Sequence, residues 1–279
     1  MSTAELRTVS VGELDFEVWV RLGAAADVLL LHGFPQSAAS WGPVSERLAL
    51  RGVGSYAVEQ RGYSPGARPA QVHAYGLPEL RADVLGICDA LGLARPHLVG
   101  HDWGAIVAWD VAARHPDRVA SLTAVSVPHP AAFAWAREHD PVQAEKSGYM
   151  DFFRQPEKPE ELLLADDCAG LRIGFGDAVP ADLADRHIAR LREPGAMTAA
   201  LNWYRAAGDS WESVPPVRVP TTLVWSDADL AVARAGVERT ALYVTGPYRL
   251  VVLEGVGHWV PEQAPEALAR HVLARVAGS

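Results

Sequence analysis

The stretch LVGHDWGAIVAWD (98–110) decides the fold. An apolar strand runs into Gly100, His101, Asp102, Trp103 and Gly104, and a helical run follows at once. A strand that turns this sharply into a helix needs small flanking residues, because a side chain there would strike neighbouring backbone. The central residue is lifted out of the turn, above the N-terminus of the next helix. Here it is a carboxylate. Asp is also a good helix N-cap, so its reading as a nucleophile rests on the partners supplied by the rest of the chain. A carboxylate nucleophile attacks an sp³ carbon and leaves an alkyl ester, which water then splits.

Outward from this turn, short apolar runs recur at 28–31, 54–58, 97–99, 122–127, 221–225 and 250–253. They are continuous rather than alternating, as parallel strands covered on both faces require. Helical stripes lie between them: Leu80, Val84, Ile87 and Leu91 in one, Leu268, Val272 and Val276 in another. Residues 9–21 alternate and contain Gly12, which predicts an antiparallel hairpin entering the sheet. Strand and helix in alternation predict an α/β fold with a mostly parallel sheet. The alternation stops after Val127. From His129 to about Ser210 no buried strand is visible, and Pro141, Pro156, Pro159, Pro180 and Pro194 punctuate a stretch rich in Ala, Arg, Glu and aromatics. The expected division is a core of residues 1–128 and 211–279 with a helical cap, 129–210, inserted between core strands.

Length and composition agree. The 279 residues suit one large domain with an insert. An apolar share of 49% and a charged share of 21% exclude a disordered chain, a coiled coil and a collagen-like repeat. A net charge of −9 leaves no cationic surface for phosphates, so nucleic acid is not an expected partner. No apolar run reaches the length of a membrane span, and no basic start leads into an apolar targeting segment. Two cysteines, Cys88 and Cys168, fit a reducing compartment, and a cytoplasmic protein is expected. Lysine occurs only at 146 and 158; with abundant Ala this suggests a GC-rich bacterial gene.

Three further motifs carry chemistry. LLLHGFPQSAASW (29–41) ends a strand in a tight loop whose backbone N–H at Phe34, with that of Trp103, is placed to hold an oxyanion. His32 reads as a structural residue holding that loop. VVLEGVGHWVPEQAPEAL (251–268) puts His258 on a glycine-flexed loop after a strand, where a general base belongs. TTLVWSDADLAV (221–232) ends a strand in two acids, Asp227 and Asp229. One of them orients the imidazole and stabilises its cation. The order nucleophile, acid, base resembles that of the α/β-hydrolases. Such chains usually carry the acid three residues past the small residue ending the strand, here Ser226, which favours Asp229; Asp227 is the alternative acid, or otherwise a turn residue.

HGFP at 32–35 with GHDWGA at 100–105 resembles the epoxide hydrolase group within that superfamily, over nearly the whole chain. The resemblance implies a helical cap carrying two tyrosines that hold and protonate the epoxide oxygen. LNWYR (201–205) resembles the segment of one and implies Tyr204; YMDFFRQP (149–156) resembles the other and implies Tyr149. It implies no metal and no organic cofactor, and a small apolar epoxide as substrate. Phe34, Trp103, Trp135, Phe152, Phe153 and Trp203 are the aromatics expected to line an apolar pocket. Haloalkane dehalogenases share the Asp–His–acid set but carry Asn where this chain has Phe34. Fluoroacetate dehalogenases place arginines after the nucleophile; Trp103 and Ile106 stand there instead and cannot pair with an anion. Dehalogenation remains the first alternative and a non-catalytic binder on the hydrolase fold the second; a serine esterase lacks its serine. A monomer or small homo-oligomer is expected.

Overall fold

The apolar runs assemble into one eight-stranded sheet in a computed structural model describing residues 3–208 and 213–278. The strands are β1 (Glu5–Val11), β2 (Leu14–Arg21), β3 (Ala26–Leu31), β4 (Val53–Val58), β5 (His97–His101), β6 (Ser121–Val125), β7 (Thr221–Ser226) and β8 (Tyr248–Leu253). Their order is β1-β2-β4-β3-β5-β6-β7-β8. β1 and β2 form the antiparallel hairpin, with Gly12 at φ +60° in its turn. β2 runs antiparallel to β4, and every later pairing is parallel. The chain leaves β3 for β4 on one side and returns as β5 on the other. Such a reversal opens a crevice above the C-terminal strand ends.

Helices α1 (Gly42–Ala49), α2 (Leu77–Ala90) and α3 (Trp103–Arg114) follow β3, β4 and β5. Between β6 and β7 lie α4 (Pro130–His139), α5 (Pro141–Lys146), α6 (Tyr149–Phe153), α7 (Lys158–Phe175), α8 (Ala181–Leu191) and α9 (Ala196–Ala206). α7 is interrupted by non-helical backbone at Ala165, Asp166, Asp167 and Cys168. α10 (Arg234–Arg239), α11 (Val260–Gln263) and α12 (Pro265–Ala277) complete the chain. The expected cap boundary at 210 and 211 lies outside the described residues.

The continuous strand patterns follow from burial on both faces. Val28 and Leu30 pack with Val44 and Leu48 of α1 and with Leu268 and Val272 of α12. Leu29 and Leu31 point the other way, into the core that holds Val84 and Ile87 of α2 and Val107 and Val111 of α3. β6 is shorter than its apolar run, because Ser126 takes φ +66° and bends the chain away after Val125. Among the described residues no helix is long and apolar enough to cross a membrane.

Candidate active site

Asp102 stands between β5 and α3 with φ +53° and ψ −121°. A non-glycine residue with positive φ stores strain, and surrounding packing must hold it. Three glycines make that packing possible. A Cβ on Gly104 would lie 2.1 Å from the Leu31 carbonyl oxygen, and one on Gly100 2.2 Å from that of Gly104. A Cβ on Gly33 would lie 2.3 Å from the Asp102 side chain. The small-residue rule read from 100–104 is thus a backbone contact between the turn and β3. Gly104→Ala is expected to cost about 3 kcal/mol or more. A urea unfolding series measures it, and a loss under about 1 kcal/mol would show that the turn can shift.

His258 lies beside Asp102. Its Nδ1–H donates to the Asp229 carboxylate at 2.9 and 3.0 Å, and Nε2 lies 3.6 Å from Asp102 Oδ2. All three residues are buried. Asp229 Oδ1 also accepts from the backbone N–H groups of Ala231 (2.8 Å) and Val232 (2.9 Å). Burial alone would raise the Asp229 pKa, but the His258 charge and these hydrogen bonds bring it below the usual carboxylate value. Burial would lower that of His258, yet the Asp229 and Asp102 carboxylates hold it well above the ordinary imidazole value. Asp227 does not meet His258; its Oδ1 accepts from the Gly255 N–H at 2.7 Å and shapes the turn.

Several supports of this arrangement were not visible in the sequence. His101 Nε2–H donates to the His258 carbonyl at 2.9 Å, and the Ser126 hydroxyl donates to the same oxygen at 3.2 Å. Burial holds the His101 imidazole down at about 4, so it serves as a neutral donor. Gln143 of α5 is fully buried and clamps the loop after Asp229. Its Nε2 donates to the Ala231 carbonyl at 2.9 Å, and its Oε1 accepts from the Ala233 N–H at 2.8 Å. Lys146 Nζ donates to the Asp229 carbonyl. The inserted helices therefore fix the acid loop of the core. α8 does the same at the other wall: His187 Nδ1 accepts from the Ser37 N–H at 3.0 Å and its Nε2–H meets Glu262 at 3.3 Å.

The Phe34 N–H donates to Asp102 Oδ1 at 2.9 Å. Charge-assisted bonds of this kind contribute about 1.5–3 kcal/mol. The loop is held by His32, whose Nδ1–H donates to the Gly33 carbonyl (2.9 Å) and whose Nε2 accepts from the Gln60 N–H (3.3 Å). Burial keeps this imidazole neutral, down at about 3. Trp103 is the first residue of α3, directly after Asp102.

A cavity of about 270 Å³ opens onto Asp102 and His258, with Phe34, Tyr149, Phe153, Tyr204 and Trp259 among its walls. Tyr149 and Tyr204 meet edge to face with ring centroids 6.3 Å apart. Burial, with the nearby Asp102 charge, pushes both phenols above their ordinary pKa, so both stay protonated donors. Trp103 borders a much smaller adjoining space. Trp135, Phe152 and Trp203 do not line the main cavity. Trp135 stacks on His139 with the Arg239 guanidinium 3.9 Å from its ring centre. Phe152 packs on Phe153. Trp203 is buried against His32, Tyr63 and Trp103 and donates to the Arg61 carbonyl at 3.0 Å. A cleft of about 430 Å³ beside Trp19, Trp41 and Arg190 is larger but contains none of these groups.

A carboxylate on a strained strand-to-helix turn, a histidine and acid from later loops, and a donor loop after β3 define the class of α/β hydrolases. The chain belongs to the alpha/beta hydrolase fold family, which it matches over residues 28–265. Epoxide hydrolase A of Mycobacterium tuberculosis (strain ATCC 25618 / H37Rv) is 31% identical, over 98% of this chain and 94% of its own length. The AB hydrolase superfamily protein YfhM of Bacillus subtilis (strain 168) is 31% identical, over 88% of each chain. The crystal structure of Epoxide Hydrolase A from Mycobacterium thermoresistibile superposes with a TM-score of 0.87 at 27% identity, covering 99% of each chain.

Proposed function

We propose that this chain is an epoxide hydrolase that converts an apolar epoxide to a vicinal diol. The observation that carries the reading is that one carboxylate, Asp102, and two phenols, Tyr149 and Tyr204, line the same largely apolar cavity. Relatives named as epoxide hydrolases support it. The Asp102 carboxylate attacks an oxirane carbon, and the carbon–oxygen bond breaks. Tyr204 and Tyr149 hydrogen-bond to the departing oxygen, and one supplies its proton; an unassisted alkoxide is a poor leaving group. With Asp102 esterified, His258 gives its resting proton to the tyrosinate; now neutral, it takes a proton from water, and the hydroxide attacks the ester carbonyl. Asp229 stabilises the imidazolium. The Phe34 and Trp103 N–H groups receive the oxyanion. Collapse releases the diol and restores Asp102 beside the resting imidazolium.

Every group in this cycle is a side chain or amide of this chain, with water as co-substrate. Residues 129–210 act as the cap and 1–128 with 211–279 as the base, and the free thiols suit the cytoplasm. The test is a single turnover in ¹⁸O-water with enzyme in excess over styrene oxide. The first diol is expected to be unlabelled, with the label left on Asp102 and appearing in diol from the second turnover onward. Label in the first diol would mean direct attack by water. Halide release from 1-bromobutane without diol from any epoxide would move the chain to dehalogenation.

A further inference from the structure

Two spaces of very different size meet at the nucleophile. The larger, about 270 Å³, runs under α7 and Trp259; the smaller, about 20 Å³, is walled by Ile106, Phe133, Met150 and Val232. Asp102, Tyr149, Tyr204 and Ala231 border both. The attacking oxygen and the two phenols therefore stand at the junction, and an oxirane held between them sends its two carbons' substituents to opposite sides. A space of about 10–15 Å³ holds one water, so the smaller side takes hydrogen or a methyl-sized group. Its walls are buried side chains, and a packed interior yields little to an added ring.

We propose that this chain acts on terminal epoxides bearing one bulky apolar substituent and excludes epoxides with a ring on each carbon. The inference rests on the epoxide reading above. Gly170 and Gly174, one turn apart on α7, line the larger space, and a Cβ built on either meets no atom within 4 Å. Both glycines are exposed at the open side of this space, so a long side chain there can obstruct its mouth at no steric cost to the fold. The helix is held in place by the Trp259 indole, which donates to the Gly174 carbonyl at 3.1 Å. These two glycines do not make a site. They leave unobstructed the mouth of a site defined by Asp102, and so bear on how large the substituent can be.

The test compares kcat/KM for 1,2-epoxypropane, styrene oxide and trans-stilbene oxide in the wild type, Gly174→Ala and Gly174→Leu. The wild type is expected to prefer styrene oxide over trans-stilbene oxide by at least about 50-fold. In Gly174→Leu the ratio of styrene oxide to epoxypropane should fall at least about 20-fold, with Gly174→Ala intermediate and the melting temperature of both near the wild-type value. Trans-stilbene oxide within threefold of styrene oxide would overturn the small side as a filter. An unchanged ratio in a folded Gly174→Leu would overturn the role of the glycines. Turnover of none of the three by the wild type would instead bring down the epoxide reading itself, and this inference with it.

Discussion

Asp102→Asn is expected to reduce kcat/KM for styrene oxide by at least about 10⁴, or about 5.4 kcal/mol of transition-state stabilisation. The variant isolates the chemistry from the fold. Asn tolerates positive φ better than other side chains, and its Oδ1 can still accept the Phe34 N–H that Asp102 accepts at 2.9 Å. The elbow therefore keeps its shape while the nucleophilic oxygen loses its charge. The neighbouring groups cannot replace it. His258 Nδ1–H is committed to Asp229, and Asp229 is buried behind the imidazole with three hydrogen bonds of its own. Steady-state turnover checks the rate, and intact mass shows whether any covalent adduct forms. Activity within 100-fold of wild type in freshly folded protein would mean that some other group opens the epoxide.

What could be read from the sequence was what is local in the chain. The elbow was legible because Gly100 and Gly104 answer contacts made within a few residues of Asp102 and with the adjacent β3. The resemblance to the α/β-hydrolases, with the acid three residues past the strand-ending Ser226, pointed to Asp229 over Asp227; in the fold Asp229 meets His258 and Asp227 turns back to Gly255. The cap tyrosines came from a segment resemblance, and the fold brings both to one cavity. The neighbouring aromatics were not separable. Trp203 precedes Tyr204 on α9 and points about 100° away, into His32 and Tyr63 rather than the cavity. Trp135 sits under Arg239, a partner 104 residues distant that no periodicity marks. The clamps Gln143 and His187 bind main chain 88 and 150 residues away. Such contacts belong to the assembled cap and core, and neither segment alone carries their signal.

His258→Gln is expected to divide the reaction in two. Alkylation needs the Asp102 carboxylate and the phenols, so it proceeds; hydrolysis needs a base, so it slows by about 10³–10⁴. Intact mass should rise by one whole epoxide, located on Asp102 by peptide mapping, and no adduct with a good substrate would remove the ester from the mechanism. The pH behaviour follows from the same geometry. In the resting enzyme the Asp229 and Asp102 carboxylates outweigh burial, and His258 stays protonated through neutral pH. This elevation contributes stability that is fully present below the ordinary imidazole value and is lost as pH rises through the elevated one. Esterification turns Asp102 into a neutral group. One of the two charges holding the proton on His258 is then gone, its pKa falls, and the imidazole becomes a base only once there is an ester to hydrolyse. The acid limb of kcat should therefore lie below the resting His258 titration followed by NMR, and Asp102→Asn should move that titration down. A resting titration at or below the kcat limb would break this link, because the proton would then already be absent before the ester forms.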